Sequence, residues 1–516
     1  NNASGYEIKY STYKNMKKAK TKSTTKLTYV LKKLKAGKKY YIQSRAYFIM
    51  DGSKLYTGWS SKKVAKIKKV KKVKKVKKVK KAKTRRQNPL LAKEQCEQAH
   101  MDFCFAKTRR IGMAVWKISE DVFYVGVNDT TLDLFESQYR IPDGVTYNSY
   151  VIKDSKIAVM DTVDNRATDA WFDNLEEALG GKAPDYLVVS HLEPDHAGNI
   201  RKFLVKYPET VVVANAKTVA MLPQFFELDT EELSILEVKE GDTLKLGRHT
   251  LHFVMAPMVH WPEVMVEYDE ADKILFSADG FGRFGALSQG CTYDAAGKAQ
   301  DVLEQEWTGE ARRYFINIVG KYGANVQGLL KKAAVLDIEK IAPLHGPVLT
   351  GGLEYFLDKY AKWSSYQPEE KGVVVAYSSI HGNTKHAAEH FASILKEQGE
   401  ENVAVFDLAR ADMAQAVADS FRYDALVLAG ITYDGGLMPC MEDFLYHLKM
   451  KNFQNRYAAV IENGSWGPVS GRLMKSYLEN MKNITICEDM VTIRSVMKKA
   501  DGQALEKLAE KVIKRS

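Results

Sequence analysis

Cysteine is scarce in this chain of 516 residues: Cys96, Cys104, Cys291, Cys440 and Cys487 are all there are, and none forms a CxxC pair. An odd count without that spacing argues against a disulfide framework. It also argues against a rubredoxin-like four-cysteine module within these residues, and it fits a reducing cytoplasm. No apolar run reaches the roughly 18 residues of a membrane-crossing helix, so no membrane span is expected. The first residue is Asn and no charged-then-apolar leader follows, so the sequence reads as starting inside a longer chain.

Acidic side chains are nearly missing from the front. Residues 1–112 hold 34 Lys and Arg against 5 Asp and Glu, whereas residues 113–516 hold 42 against 59. The overall charge of +12 therefore hides a very basic front joined to an acidic body. Within the front, residues 1–67 read as short strands such as GYEIKYST and KKYYIQSRAYF. Residues 68–112 read as a Lys-rich low-complexity linker and an unpatterned stretch. The Lys-Val tract places an apolar residue at every third position, which suits neither helix nor strand. Its lysines carry charge without interleaved aromatics, so nucleic acid is not the expected partner. The run MAVWKISEDVFYVGVND, from Met113, reads as a natural protein start.

From there the pattern is layered α/β. Residues 113–366 alternate helical stretches with strands such as KIAVMDTV, DYLVVSH, TVVVANA, LHFVMAP and KILFSAD. Residues 372–516 repeat strand, loop and helix (GVVVAY, ALVLAG, YAAVIENG), which predicts a doubly wound parallel sheet. QPEEKG, residues 367–372, is the expected linker.

The strand DYLVVS runs directly into HLEPDH, which places His191, Glu193, Asp195 and His196 within six residues of a turn. Three later strand ends or loops add His260 (MVHWPE), Asp279 (ILFSAD) and His345 (APLHGP). Four imidazoles and three carboxylates suffice for two divalent ions at about four or more donors each, with one carboxylate shared. Hard oxygen donors mixed with imidazole suit iron, whereas an all-histidine front would favour zinc. His252 lies mid-strand and reads as packed or exposed rather than as a ligand, and His100 has no visible partners.

A second constellation follows GVVVAY. The loop SSIHGNT, residues 378–384, opens a helix with hydroxyls, a glycine and free backbone N–H groups, the makings of a phosphate cradle. It carries no Walker lysine, so a nucleoside triphosphate is not expected. ITYDGGLMP, from Ile431, brings Tyr433 as a possible ring partner and Gly435–Gly436 for close backbone approach. GSWGP, from Gly464, brings Trp466.

The order HxExDH, His, Asp, His, followed by these loops, resembles the flavodiiron proteins, and the resemblance covers residues 113–516. It implies a metallo-β-lactamase-like αββα sandwich followed by a flavodoxin-like domain. The zinc hydrolases of the first fold usually read HxHxDH, and Glu193 stands where they carry the second histidine. By resemblance, one iron takes His191, Glu193 and His260, the other takes Asp195, His196 and His345, and Asp279 bridges. The flavodoxin likeness places FMN on Ser378, Ser379, Ile380, His381, Gly382, Asn383 and Thr384, on Thr432, Tyr433, Asp434, Gly435 and Gly436, and on Asn463, Gly464, Ser465, Trp466 and Gly467. It further implies a cytoplasmic oxidoreductase that reduces O2 or NO, a head-to-tail homodimer, and rubredoxin or a similar protein as a separate electron donor. The alternatives are a dinuclear zinc hydrolase carrying a flavodoxin module and a surface binding protein acting through its front. In that front, the run LKAGKKY, from Leu34 to Tyr40, resembles the tyrosine corner of a fibronectin type III domain, in a β-sandwich whose earlier strands are absent.

Overall fold

The structure, a computed structural model, describes residues 4–24, 31, 34, 35, 38–50, 53–57, 59, 60, 62–66, 115–226, 233–288 and 290–515. The Lys-Val tract, the unpatterned stretch with His100, Cys96 and Cys104, and the start at Met113 lie outside the described residues. The chain divides into two compact units, 1–100 and 101–516.

In the first unit Gly5–Ser11, Lys20–Thr24, Lys39–Met50, Ser53–Tyr56 and Lys63–Lys66 form one antiparallel sheet. The Lys35 backbone N–H donates to the Tyr40 hydroxyl at 2.9 Å.

The second unit begins with a β-sandwich. A strand buried on both faces has no polar side to alternate, and Ile157–Met160 (IAVM) is buried throughout. Its side chains still divide by the two-residue period. Ala158 and Met160 meet Leu251, Phe253, Met265 and Phe276 of the opposite sheet, while Ile157 and Val159 join the core with Trp171, Leu175 and Phe203. The first sheet runs Ile235–Val238, Val211–Asn215, Tyr186–Val188, Ile157–Met160, Tyr150–Lys153, Val122–Tyr124, Trp116–Lys117. The second runs Thr243–Lys245, Thr250–Met255, Met265–Asp269, Ile274–Phe276, Lys340–Ala342, Val348–Gly351, Thr292–Asp294. Helices Thr168–Leu179 and Ile200–Lys206 pack against the first sheet. Residues 300–333 and Leu353–Ser364 contribute Trp307, Phe315, Phe356 and Tyr360 to the same core as Val266, Leu275, Ile341 and Leu349 of the second.

A parallel sheet follows, in the order Val403–Asp407, Glu370–Tyr377, Tyr423–Tyr433, Arg456–Asn463, Ile484–Ile493. Numbered along the chain this is 2-1-3-4-5, the doubly wound order whose ligand crevice opens between strands one and three. Val373, Val375, Val427 and Ile461 pack with Phe391, Leu395, Leu505 and Leu508 of helices Asn383–Glu397 and Lys499–Ile513. Val374, Leu426 and Val460 face the other way, with Phe421, Phe444 and Met474, and that layer is continuous with the sandwich core.

The junction differs from the expected linker. The Glu369 side chain, only 2 % exposed, accepts from Arg312, from Lys359 Nζ at 2.7 Å and from Trp363 Nε1 at 2.7 Å. Glu370 already pairs in the parallel sheet. The polar composition of QPEEKG thus includes a buried counter-ion for the sandwich helices, a role that composition cannot separate from solvation.

Candidate metal centre and flavin cleft

The strand Tyr186–Val188 ends at a buried turn held from behind: Asp161 Oδ1 accepts from the N–H groups of Ser190 (2.8 Å) and His191 (3.3 Å). A single helical turn, Pro194–Ala197, then curls Asp195 and His196 back toward His191. Gly198 closes it so tightly that a Cβ there would sit 2.5 Å from the Pro194 carbonyl oxygen. His260, Asp279 and His345 arrive from three loops of the second sheet. His345 is fixed by Gly346, whose φ of 82° lies in the left-handed region and beside which a Cβ would meet Arg283 at 2.8 Å.

All seven predicted residues converge, in two groups. In the first, His191 Nε2 lies 3.3 Å from Glu193 Oε2 and 3.4 Å from Asp279 Oδ2, and His260 Nε2 lies 3.1 Å from each of these oxygens. In the second, His196 and His345 bring their Nε2 atoms to 3.1 Å, each 3.3 Å from Asp195 Oδ2. Asp279 Oδ1 is 3.2 Å from His196 and 3.9 Å from His345. Asp279 therefore turns one oxygen to each group. Donors about 2.0–2.2 Å from one ion stand about 3.0–3.5 Å from each other, so these spacings suit two cations. Both Asp195 carboxylate oxygens and Asp279 Oδ1 are buried with no hydrogen-bond partner, as acceptors waiting for a cation would be.

The cluster also shows its appetite for positive charge through protons. Burial opposes charge on His260, yet Asp279 and Glu193 outweigh it and push the ring up to about 9. Burial favours the neutral acid at Asp279, but His191 and His196 hold it well below the ordinary carboxylate range. Farther back, burial raises Asp161 to about 6 and, helped by the charge of Asp161, lifts Glu267 well above its usual range. A third cluster, His249, Asp269 and Asp272, already holds a cation: the Arg248 guanidinium lies 2.8 Å from both His249 Nε2 and Asp272 Oδ1. His252 pairs with Glu270 at 3.1 Å and joins neither ligand group.

In the parallel sheet, Glu370–Tyr377 delivers the loop 378–382 to helix Asn383–Glu397, which starts without a side-chain cap. Ser378 Oγ and Thr384 Oγ1 are buried there with no partner, and a phosphate against this helix start would satisfy both. A cleft of about 520 Å³ opens beside it, lined by Ile380, His381, Asn383, Thr432, Asp434, Gly435 and residues 463–467. The Thr432 hydroxyl is committed to accepting from Val469 N (2.9 Å) and Ser470 N (3.1 Å), so only the rest of the residue faces a ligand. Trp466 is 94 % exposed, and Ser378, Ser379, Gly382, Thr384, Tyr433 and Gly436 stand outside the lining.

Residues 145–346 match the family model described as ODP family beta lactamase. An uncharacterised protein of Methanocaldococcus jannaschii is 28 % identical over 74 % of this chain and 94 % of its own length. The anaerobic nitric oxide reductase flavorubredoxin of Klebsiella pneumoniae is 27 % identical over 68 % of this chain and 71 % of its own. Among solved structures, the rubredoxin oxygen:oxidoreductase of Desulfovibrio gigas superposes with a TM-score of 0.71 at 25 % identity, covering 77 % of this chain and 97 % of that one. The flavodiiron protein of Giardia intestinalis gives the same TM-score at 24 % identity, over 78 % and 98 %. The named sequence relative and both solved structures that this chain resembles are flavodiiron proteins.

Several parts of the site leave little or no signal in the sequence. Glu263 Oε1 accepts from His191 Nδ1 at 2.8 Å and from the Leu192 N–H at 2.9 Å. It stands three residues after His260 in HWPE, a visible signal that reads equally well as a turn acid. The Thr146 carbonyl accepts from His345 Nδ1 at 2.6 Å, and a backbone group leaves no trace in a sequence. Ile431 and Ser495 also line the flavin cleft, and Ser495 arrives from a fifth strand, Ile484–Ile493, that had not been read. Among the described residues no helix is long and apolar enough to cross a membrane.

Proposed function

We propose that this chain reduces O2 to water, NO to N2O, or both, at a non-haem diiron centre, drawing electrons through FMN from a rubredoxin-type donor. The observation that carries this reading is the division of Asp279, with Oδ2 toward His191 and His260 and Oδ1 toward His196 and His345. One ion would be held by His191, Glu193 and His260, the other by Asp195, His196 and His345, with Asp279 shared. Ferrous ions supply open positions and electrons for a diatomic ligand, and FMN accepts and passes electrons singly or in pairs.

The rest is the work of the chain. Glu263 and the Thr146 carbonyl take the Nδ1 protons of His191 and His345, which leaves both Nε2 lone pairs facing the centre. Glu193 in place of a histidine adds a hard oxygen and favours iron. Leu132, Leu134, Phe135 and Tyr147 wall a cleft of about 220 Å³ onto which Glu193 and Asp195 open, wide enough for a diatomic and its protons. At the other end, Ser378, Thr384 and the helix start would hold the FMN phosphate, while Gly435, whose missing side chain faces open space, would let the backbone approach the ring system. We read residues 113–366 as the metal domain and 372–516 as the flavin domain, with a head-to-tail homodimer bringing one subunit's flavin to the other's metals. The exposed cleft with Trp466 on its rim supports that arrangement.

The test is anaerobic turnover with reduced rubredoxin, given NO and O2 separately, with iron and FMN quantified on the same sample. Two irons and one FMN per chain, with N2O or water formed, is the expected result. Zinc in place of iron, with neither gas consumed, would replace this reading by a hydrolase.

A further inference from the structure

The two halves of the ligand set present the same donors: two imidazoles, one carboxylate and one oxygen of Asp279 each. Any difference in affinity between them must come from the groups behind. Those groups differ in charge. Behind His191 stands Glu263, buried to 1 % exposure, whose Oε1 takes the Nδ1 proton at 2.8 Å. The same oxygen takes the Leu192 N–H, and Oε2 has no hydrogen-bond partner. Asp161 accepts from the His191 backbone N–H at 3.3 Å, but its charge bears on the His196 ring and so does not distinguish the two positions. Behind His345 stands only a neutral carbonyl, that of Thr146. The buried Nδ1 of His196 has no hydrogen-bond partner.

A carboxylate behind an imidazole fixes the tautomer, raises the basicity of the facing nitrogen and pulls on the cation through a poorly screened medium. A carbonyl does the first with a dipole instead of a charge, and an unpartnered Nδ1 does neither. We propose that the position built from His191, Glu193 and His260 takes its metal ion first and more tightly than the position built from Asp195, His196 and His345, and that Glu263 is the positioning residue that sets this order. The inference rests on the dinuclear reading above. It also explains the unpartnered Glu263 oxygen, since charge left bare in a buried site is costly until a cation nearby compensates it.

The experiment is an anaerobic titration of the metal-stripped full chain with Co2+, followed by visible absorption. Wild type should fill in two resolved steps. His345→Ala should erase the weaker step and leave the tighter one. Glu263→Gln keeps an oxygen acceptor for His191 but loses the charge; it should weaken the tight step about tenfold to a hundredfold and leave the weak step in place. Glu263→Leu removes the acceptor and should weaken it further, with circular dichroism and FMN binding reporting an intact fold. Loss of the tight step in His345→Ala, or equal shifts of both steps in Glu263→Gln, would overturn the order. Two ions bound with equal affinity would overturn this inference alone, whereas a chain that takes up only one ion would overturn the dinuclear reading with it.

Discussion

The metal centre and the flavin cleft both lie at strand ends, yet they are finished to different degrees. At the metal centre His191, His196 and His345 are fully buried, and the loops carrying them are locked by carboxylates, carbonyls and glycines of the same chain. At the flavin cleft only Ser378 and Thr384 of the phosphate loop are buried, Ile380 and His381 are exposed, and at the open ring end the largest aromatic, Trp466, stands in solvent. One site is completed by the chain itself and needs only cations. The other needs a large apolar surface from outside, first the ligand and then whatever covers it. Separate construction implies separate failure.

The sharpest break is at Asp279. Asp279→Ala should lower turnover more than about a hundredfold, beyond what the loss of a supporting hydrogen bond does, because both metal positions lose a ligand. FMN, measured by absorbance after gel filtration, should stay at one per chain. Loss of flavin with retained iron would mean that the two sites are not built independently. The next effect belongs to the seam between them. Glu369→Ala should destabilise the full chain by about 3 kcal/mol in denaturant unfolding, since Lys359 loses this carboxylate and the buried Arg312 is left with Glu304. Burial alone would raise the Glu369 carboxyl, but Arg312 outweighs it and holds it at about 2. The folded state therefore binds fewer protons than the unfolded chain between its ordinary value near 4.3 and 2. Stability from this group is complete above about pH 5 and lost as the pH falls toward 2, which acid titration of wild type against Glu369→Ala will show as converging curves.

A smaller effect sharpens the contrast from the flavin side. Ser378→Ala removes one hydroxyl from the phosphate cradle and should weaken FMN binding about tenfold, the worth of one hydrogen bond to a charged group, with no change in metal content. A parallel loss of iron would tie the sites together after all. The smallest expected effect is none: a chain lacking residues 1–112 should keep its turnover per iron, and a fall in that figure would draw the basic front into the chemistry.

How much was legible in the sequence follows the same division. The seven residues of the metal centre announce themselves because strands deliver them to turns as dense polar clusters, where an apolar core gives no other reason for them. The phosphate loop is legible for the same reason. What supports those residues was not. Glu263 looks like any acid after a proline turn, the Thr146 carbonyl is invisible, and the fifth strand, Ile484–Ile493, mixes buried and exposed positions too irregularly to show a period. The segment 367–372 misleads for a physical reason: its charges resemble those of a solvated linker, and only the packing reveals that Glu369 faces inward.

That last contact bears on how such a chain could be rearranged. A gene cut between the sandwich and the parallel sheet looks modular, as though either half would accept a new neighbour. Here the flavin half begins with the counter-ion of the metal half. A graft made after Glu369 leaves the sandwich neutralised; one made before it must bring its own acid to Arg312, Lys359 and Trp363. The natural splice point therefore lies at the start of Glu370–Tyr377, the first strand of the parallel sheet, and not in the loop before Glu369.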